Sequence, residues 1–469
     1  MKFLEALNNR KAQGMVPLIP DIKCFSPKDG ELLKGRDPAE LAMQLVKAGA
    51  PALSVVTEQK EFHGSMEILS AVCRSVSVPV LRKDFITCEK DLEETRSAGA
   101  QAILLMVSCL GEERLTQLYH AARRLGLTPF VETHTLRELE FAKGLKAPLI
   151  GINNRDILVL ERDDGTVTHA GRLLREAKEE GSFYVVESAL KDGDDVRRAL
   201  KSGADGVLVG TAILNAPDPV RRYRTMTRRC AVKICGLMSR ADVDACLVQD
   251  TDFHGFVVEY PVPVRWNLDR NKAGELLSYL KKTDGSAKTC IVTGGEPDRI
   301  LALARALRPE YLQLHYRESL EDTARIAECL DSEGIRVIRS IPQDPQARQE
   351  MFGTGSLEQI VQKLSDTQVS GVLLDSREAS NAAFGGGSLL QTLEGGEESA
   401  AQIRRIRKLL ADSEKLLIVG GGILPETAGE VISKLQPDWI DVMTGAEDSA
   451  GRKSQLRIAQ LTEAVRQKL

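Results

Sequence analysis

A chain of 469 residues exceeds what one core serves, since domains run to about 150 residues, so two large or three ordinary domains are expected. Its 63 basic and 67 acidic residues leave a net charge of −4, spread without a basic face, which argues against duplex nucleic acid as a partner but leaves room for small anions. Apolar residues at 42% and charged residues at 28% describe an ordinary soluble globular protein, with no apolar run long enough to span a bilayer and a first segment too polar for a signal peptide. The nine cysteines form no C-x-x-C pair and no Cys/His cluster at metal-ligand spacing. A reduced, cytoplasmic compartment and no metal are expected.

In the first half, short apolar runs recur at 16–22, 52–56, 78–81, 102–106, 128–132, 149–153, 183–187 and 206–210, each ending at polar or glycine residues. Between them lie amphipathic helical stretches such as 38–48, 90–97, 113–125 and 192–202. Eight strands alternating with helices over some 200 residues predict an α/β fold with a closed parallel sheet, a (β/α)8 TIM barrel. A helix-like stretch at 220–229 ends in a basic cluster, read as a solvated linker face, and the domain boundary is placed there: 1–229 and 230–469. The rhythm then repeats at 231–235, 253–258, 289–292, 311–314, 337–341, 371–375, 416–420 and 439–443, giving two barrels in tandem. Segments 343–360 and 376–401 read as longer connections of the kind that form lids or insertions.

Parallel barrels gather their strand C-termini on one face, so the residues ending the runs should converge. In the first half these are Asp21 and Lys23, Glu58, Lys83, Glu132, Asn153 with Arg155, and Glu187 with Ser188. Two lysines among carboxylates suit general acid and base work, because opposed charges separate the two pKa values. Lys83, emerging from Val78-Pro79-Val80-Leu81 between Arg82 and Asp84, is expected in a closed pocket with a pKa depressed partly by Lys23. Gly210-Thr211 ends the last run, at the corner where barrels hold phosphate through loop amides.

The runs IPDIKCFSP, LSVVTE followed by FHGS, PVLRKDFI, PFVETH, GINNRDI, VVESAL and LVGTAI resemble, in order, the strand-end motifs of indole-3-glycerol phosphate synthase. By that resemblance, which covers residues 17 to 215, Lys83 is the general acid and Glu132 the general base. Lys23 meets the substrate carboxylate, and Asp21, Asn153, Arg155, Glu187 and Ser188 complete the pocket. Ser26, Gly210 and Thr211 hold phosphate. The sequence departs from the family at Asp21, usually Glu; at Cys24-Phe25, often Arg-Ala; and at Ala189, normally a phosphate-binding glycine. The helix the family carries before its first strand is largely missing.

The second half opens with VKICGL, where Cys235 ends a strand and would serve as a base if its pKa were lowered. Asp375, at the end of the sixth run, stands almost opposite around the barrel, and a thiol with a carboxylic acid suits isomerisation by proton shuttling. VKICGL, LQLH, VLLDS with GGG beyond it, VGGGILPE and DVMTGAED-x-x-G-x-K resemble phosphoribosylanthranilate isomerase over residues 231 to 469. The resemblance makes Cys235 the base and Asp375 the acid of an Amadori rearrangement, with Gly421, Gly422, Thr444 and Gly445 binding phosphate. Arg265 is the counterpart of the substrate arginine, although Glu259 to Arg265 replace a shorter turn. Tyr316 stands for a common glycine and Gly387-Ser388 for Thr-Gly. His315 contacts substrate or is a satisfied core histidine.

Together these readings imply a cytoplasmic, cofactor-free, bifunctional enzyme of tryptophan biosynthesis. It takes phosphorylated anthranilate-sugar substrates, has no nucleic-acid or membrane partner, and leaves room for association with other enzymes of the pathway. Two alternatives stay open at the level of sequence. In one, a barrel, more readily the second, has lost catalysis and serves as a phosphate-binding or docking module. In the other, both barrels act on a related sugar phosphate.

Overall fold

The structure, a computed structural model, describes residues 2–155, 167–285, 287–375, 397–413 and 415–465. Contacts divide the chain at Arg228/Arg229 into two units.

The strands of the first unit are β1 (Leu18–Ile22), β2 (Leu53–Val56), β3 (Val80–Lys83), β4 (Ala102–Met106), β5 (Thr128–Thr133), β6 (Leu149–Asn153), β7 (Phe183–Glu187) and β8 (Gly206–Val209). They close into a parallel barrel in the order β1-β8-β7-β6-β5-β4-β3-β2. Runs of Val, Ile and Leu form these strands because both faces are buried, one against the helices and one inside the barrel. Helices return the chain between strands and begin at side-chain caps. Asp37 accepts from Glu40 N ahead of Pro38, and Ser65 and Thr135 cap in the same way.

A leading helix is present after all, at Phe3–Ala12. Its Phe3 and Leu7 are fully buried with Ile19, Leu81, Leu104 and Phe130, inside the barrel. Two apolar residues one turn apart suffice to anchor it, in a segment whose remaining polarity hides the signal. The basic run before the boundary also differs from a solvated face: it follows helix Pro219–Met226, and Arg228 is buried.

The second unit holds β9 (Ala231–Ile234), β10 (Phe253–Val258), β11 (Lys288–Thr293), β12 (Tyr311–Leu314), β13 (Arg336–Pro342), β14 (Val369–Asp375), β15 (Leu416–Gly420) and β16 (Trp439–Val442). β9 pairs with both β16 and β10, closing a second parallel barrel. The chain is thus two (β/α)8 TIM barrels in tandem. Its lower interior is aromatic, with Phe253 stacked on Trp439 and Tyr311 edge-on to both. The expected long connection at 343–360 is instead largely helical, Pro345–Phe352 capped by Asp344 and Leu357–Ser365 capped by Ser356. Segment 376–396, with Gly387-Ser388, lies outside the described residues.

Candidate active sites

The alternation of β3 aims the first site. Arg82 and Asp84 point away from the barrel axis and pair at 2.9 Å, with Thr57 Oγ1 donating to Asp84 at 2.6 Å. Lys83 between them turns inward, as period-two geometry requires. Its Nζ lies 2.5 Å from Glu187 Oε2 at the end of β7 and 3.4 Å from Glu132 Oε2 on β5. Asn153, ending β6, donates from Nδ2 to Glu132 Oε1 at 3.1 Å, so the carboxylate is held between an amide and an ammonium. Gly151 makes the space for this, since a Cβ there would fall 2.7 Å from Glu187 Oε1. Glu187 Oε1 and Asp21 Oδ1 are buried and accept no hydrogen bond, so two acceptors stand ready for a ligand's N–H or hydroxyl groups.

These charges correct the expected titration of Lys83. Burial disfavours the ammonium, but Glu187, Glu132 and Asp21 outweigh it and hold Lys83 above the usual lysine range. Lys23 is buried with its Nζ 5.5 Å from the Phe62 ring centroid, and the groups that decide the titration of Lys83 are acidic. Glu187 moves in the same direction: burial first, then Glu132 and Asp21, push its carboxyl up to about 8 against the pull of Lys83. Three carboxylates around one close ammonium leave surplus negative charge, and a proton on Glu187, the most deeply buried, relieves it.

A cavity of about 340 Å³ opens above this cluster, lined by Asp21, Lys23, Lys83 and Glu187 together with Arg155, Ser188, Gly210 and Thr211. Lys28, Asp29 and Lys191 line it too, residues the strand-end argument missed because they lie beyond the strands. An adjoining hollow brings Glu132 and Asn153 against Lys83 with the apolar Phe62, Phe85 and Leu104. Ser26 is not on the cavity wall but fully buried, donating to Asp29 Oδ2 at 3.2 Å. Glu58 caps its own loop, accepting from the backbone N–H groups of Lys60, Glu61 and Phe62. At the end of β7, Ser188 and Ala189 are both left-handed, with φ of 66° and 58°. Ala189 therefore keeps the backbone a glycine would adopt freely, at a cost of about 1–2 kcal/mol.

In the second barrel Cys235, His315, Asp375, Gly421, Gly422, Thr444 and Gly445 meet around a cavity of about 50 Å³. Beside Cys235, chain 259–268 pairs with β10 at Asn267–Leu268 and packs Tyr260 and Trp266 with the thiol in one apolar cluster. Arg265 is not on this wall. It pairs with Glu447 and lies 4.4 Å over the Trp266 ring, where Trp266 Nε1 also donates to Glu447 at 2.8 Å. The lowered pKa on which a thiolate base at Cys235 was conditional is not found: burial drives the thiol up to about 11, and the nearby Lys233 only partly offsets this. Sequence reasoning missed Lys233, Gln313 and Asp441, whose signal was a polar residue inside an otherwise apolar strand. Lys233 is wholly buried, 2.8 Å from Asp441 Oδ2 and 2.7 Å from Gln313 Oε1.

Residues 1–226 match the family model of indole-3-glycerol phosphate synthase. The synthase of Pyrococcus abyssi is 39% identical over 219 residues, covering 47% of this chain and 93% of its own length. That of Pyrococcus furiosus is 43% identical over 204 residues, covering 43% and 88%. The chain belongs to the indole-3-glycerol phosphate synthase family. Residues 232–464 match the model of N-(5'phosphoribosyl)anthranilate (PRA) isomerase, and the second barrel belongs to that family. The crystal structure of phosphoribosyl anthranilate isomerase from Thermotoga maritima is similar at 22% identity and a TM-score of 0.39, covering 50% of this chain and 98% of that one. The chain is a bifunctional enzyme of tryptophan biosynthesis carrying both catalytic steps, a lyase and an isomerase. Among the described residues no helix is long and apolar enough to cross a membrane.

Proposed function

We propose that the first barrel, residues 1–229, closes the indole ring with Lys83 as general acid and Glu132 as general base. The observation that carries this reading is Lys83 between Glu187 and Glu132 at 2.5 and 3.4 Å, with Asn153 holding the far side of Glu132. An ammonium kept charged by its neighbours can protonate the departing hydroxyl or the activated carbonyl of the sugar chain, while the carboxylate takes a proton on the other side. Loss of carbon dioxide makes the sequence of steps irreversible. The unsatisfied Asp21 and Glu187 oxygens receive substrate donors, and Lys23 faces its carboxylate. Arg155, Ser188, Gly210 and Thr211 surround the phosphate, with Lys28 and Lys191 adding positive charge.

In the second barrel, residues 230–469, Cys235 is the base and Asp375 the acid of the isomerisation, whose product is the first barrel's substrate. Gly421, Gly422, Thr444 and Gly445 grip the phosphate through backbone amides. Nine free cysteines suit a reducing cytoplasmic compartment. Assaying both half-reactions on the intact chain tests the division of labour. Lys83→Met should cut ring closure by orders of magnitude and leave isomerisation, Cys235→Ser the reverse. Ring closure at the parent rate in Lys83→Met sinks the acid assignment.

A further inference from the structure

The stretch GINNRDI puts two asparagines side by side at the end of β6, and alternation sends their side chains different ways. Asn153 turns inward and holds Glu132. Asn154 is buried behind the cavity wall, where its Nδ2 donates to Ser188 O at 3.1 Å and its Oδ1 accepts from Ala170 N–H at 3.0 Å, on helix Val167–Ala177. One end of the amide meets a carbonyl and the other an N–H, so only one orientation satisfies both. Its backbone N–H donates to Glu187 O at 2.9 Å. Asn154 thus ties the end of β6 to the turn after β7 and to a helix.

The turn it grips is the left-handed one at Ser188 and Ala189, with φ of 66° and 58°, a backbone that residues with a Cβ disfavour. The chain is anchored on either side of it. β7 ends at Glu187, and the Asp192 carboxylate caps helix Gly193–Lys201, accepting from Asp194 and Asp195 N–H at 2.8 and 3.1 Å. Between these anchors the Asn154 amide holds the carbonyl of the turn itself. In a planar trans peptide the carbonyl and the next N–H point opposite ways. Drawing Ser188 O back behind the wall therefore turns Ala189 N–H forward, and Ser188 and Ala189 both line the cavity with Gly210 and Thr211.

We propose that Asn154 is a positioning residue for ring closure: it locks the Ser188–Ala189 peptide in the left-handed turn that presents Ala189 N–H to the substrate phosphate. The chain keeps an alanine where a glycine would enter this backbone freely, and the buried amide supplies from behind the constraint that local preference opposes. The inference rests on the reading of this corner as the phosphate site.

Asn154→Ala tests it. The ring-closure KM should rise about tenfold with kcat within about twofold, because Lys83 and Glu132 keep their places, and isomerisation by the same chain should be unchanged. Adding Ala189→Gly should then recover most of the loss, a larger gain than the same change brings to the parent, since glycine enters the left-handed turn unaided. A merely structural asparagine shows no such coupling. Asn154→Asp keeps the acceptor for Ala170 N–H and so spares the helix. Its carboxyl donates to Ser188 O only when protonated, so the ratio of its KM to the parent's should fall between about pH 9 and about pH 6. A parent KM in both Asn154 variants, or a gain from Ala189→Gly no larger than in the parent, overturns the proposal. Ser188→Asp separates it from the reading beneath it by placing a negative charge on the cavity wall. An unchanged KM there removes the phosphate site itself, whereas a raised KM beside an indifferent Asn154→Ala removes only the positioning role.

Discussion

Lys83 and Lys233 are both lysines turned into a barrel, and what surrounds them separates the two sites. Lys83 sits at the mouth beneath a cavity of about 340 Å³, facing three carboxylates, two of which keep an unsatisfied oxygen. Lys233 lies deeper, its donors committed to Asp441 and Gln313, under a cavity of about 50 Å³. Both are held above the usual lysine range, because the acidic partners outweigh burial in each. The same ammonium therefore faces the ligand in one barrel and props up other side chains in the other. Position along the strand decides which, because in this fold only the C-terminal end meets substrate.

The sharpest break in this comparison is a crossed pair of substitutions. Lys83→Met should lower ring closure by about 10²–10⁴-fold and leave the isomerase intact, while Lys233→Met should damage only the second barrel, through stability, since it strands Asp441. Separate assays of the two steps, with unfolding of the second barrel followed by Trp266 and Trp439 fluorescence, read both outcomes; both tryptophans lie in that barrel.

Next in size is Gly445→Ala. A Cβ at Gly445 would fall on the carbonyl oxygen of Ile423, so the loop carrying Gly445 must shift. Isomerase KM should rise at least about tenfold, with ring closure unaffected; an unchanged KM would show that this turn does not hold the phosphate.

The pH profiles should diverge as well. A base whose pKa stands at about 11 is almost wholly protonated near neutrality, so isomerase kcat/KM should climb by about tenfold per unit from pH 7 toward 10. Ring closure should instead bend downward near pH 8, where Glu187 gives up its proton and adds negative charge beside an anionic substrate. Glu187→Gln should remove that bend, and a bend that persists assigns it to another group. The smallest effect belongs to Ala189→Gly, which relieves a left-handed alanine at φ 58°. Thermal unfolding of the first barrel should shift by no more than about 1 kcal/mol, because the glycine also gains entropy when unfolded, and the KM for the ring-closure substrate should fall a few-fold.

Much of this was legible in the chain. Runs such as 102–106, 149–153 and 183–187 coincide with β4, β6 and β7, since strands buried on both faces must be continuous apolar stretches. Lys83, Glu132, Asn153, Cys235 and Asp375 could be picked out because strand ends converge on one face. The first-barrel protonation pattern was not legible, for it depends on Glu187, 104 positions from Lys83 in sequence, reaching its ammonium. Nor was the packing of Tyr260 and Trp266 against Cys235, which follows from how 259–268 pairs with β10.

By itself the sequence determined the two barrels, the strand each candidate residue ends, and the chemical type of each group, because periodicity and residue identity are local properties. Only the tertiary structure decided which charges meet and how closely. It turned a lysine expected below its usual range into one held above it, and it left unmet the condition of a lowered pKa at Cys235. It also joined Lys233, Gln313 and His315 in one buried run of hydrogen bonds. Electrostatic energy depends on separation and burial, and neither is written along the chain.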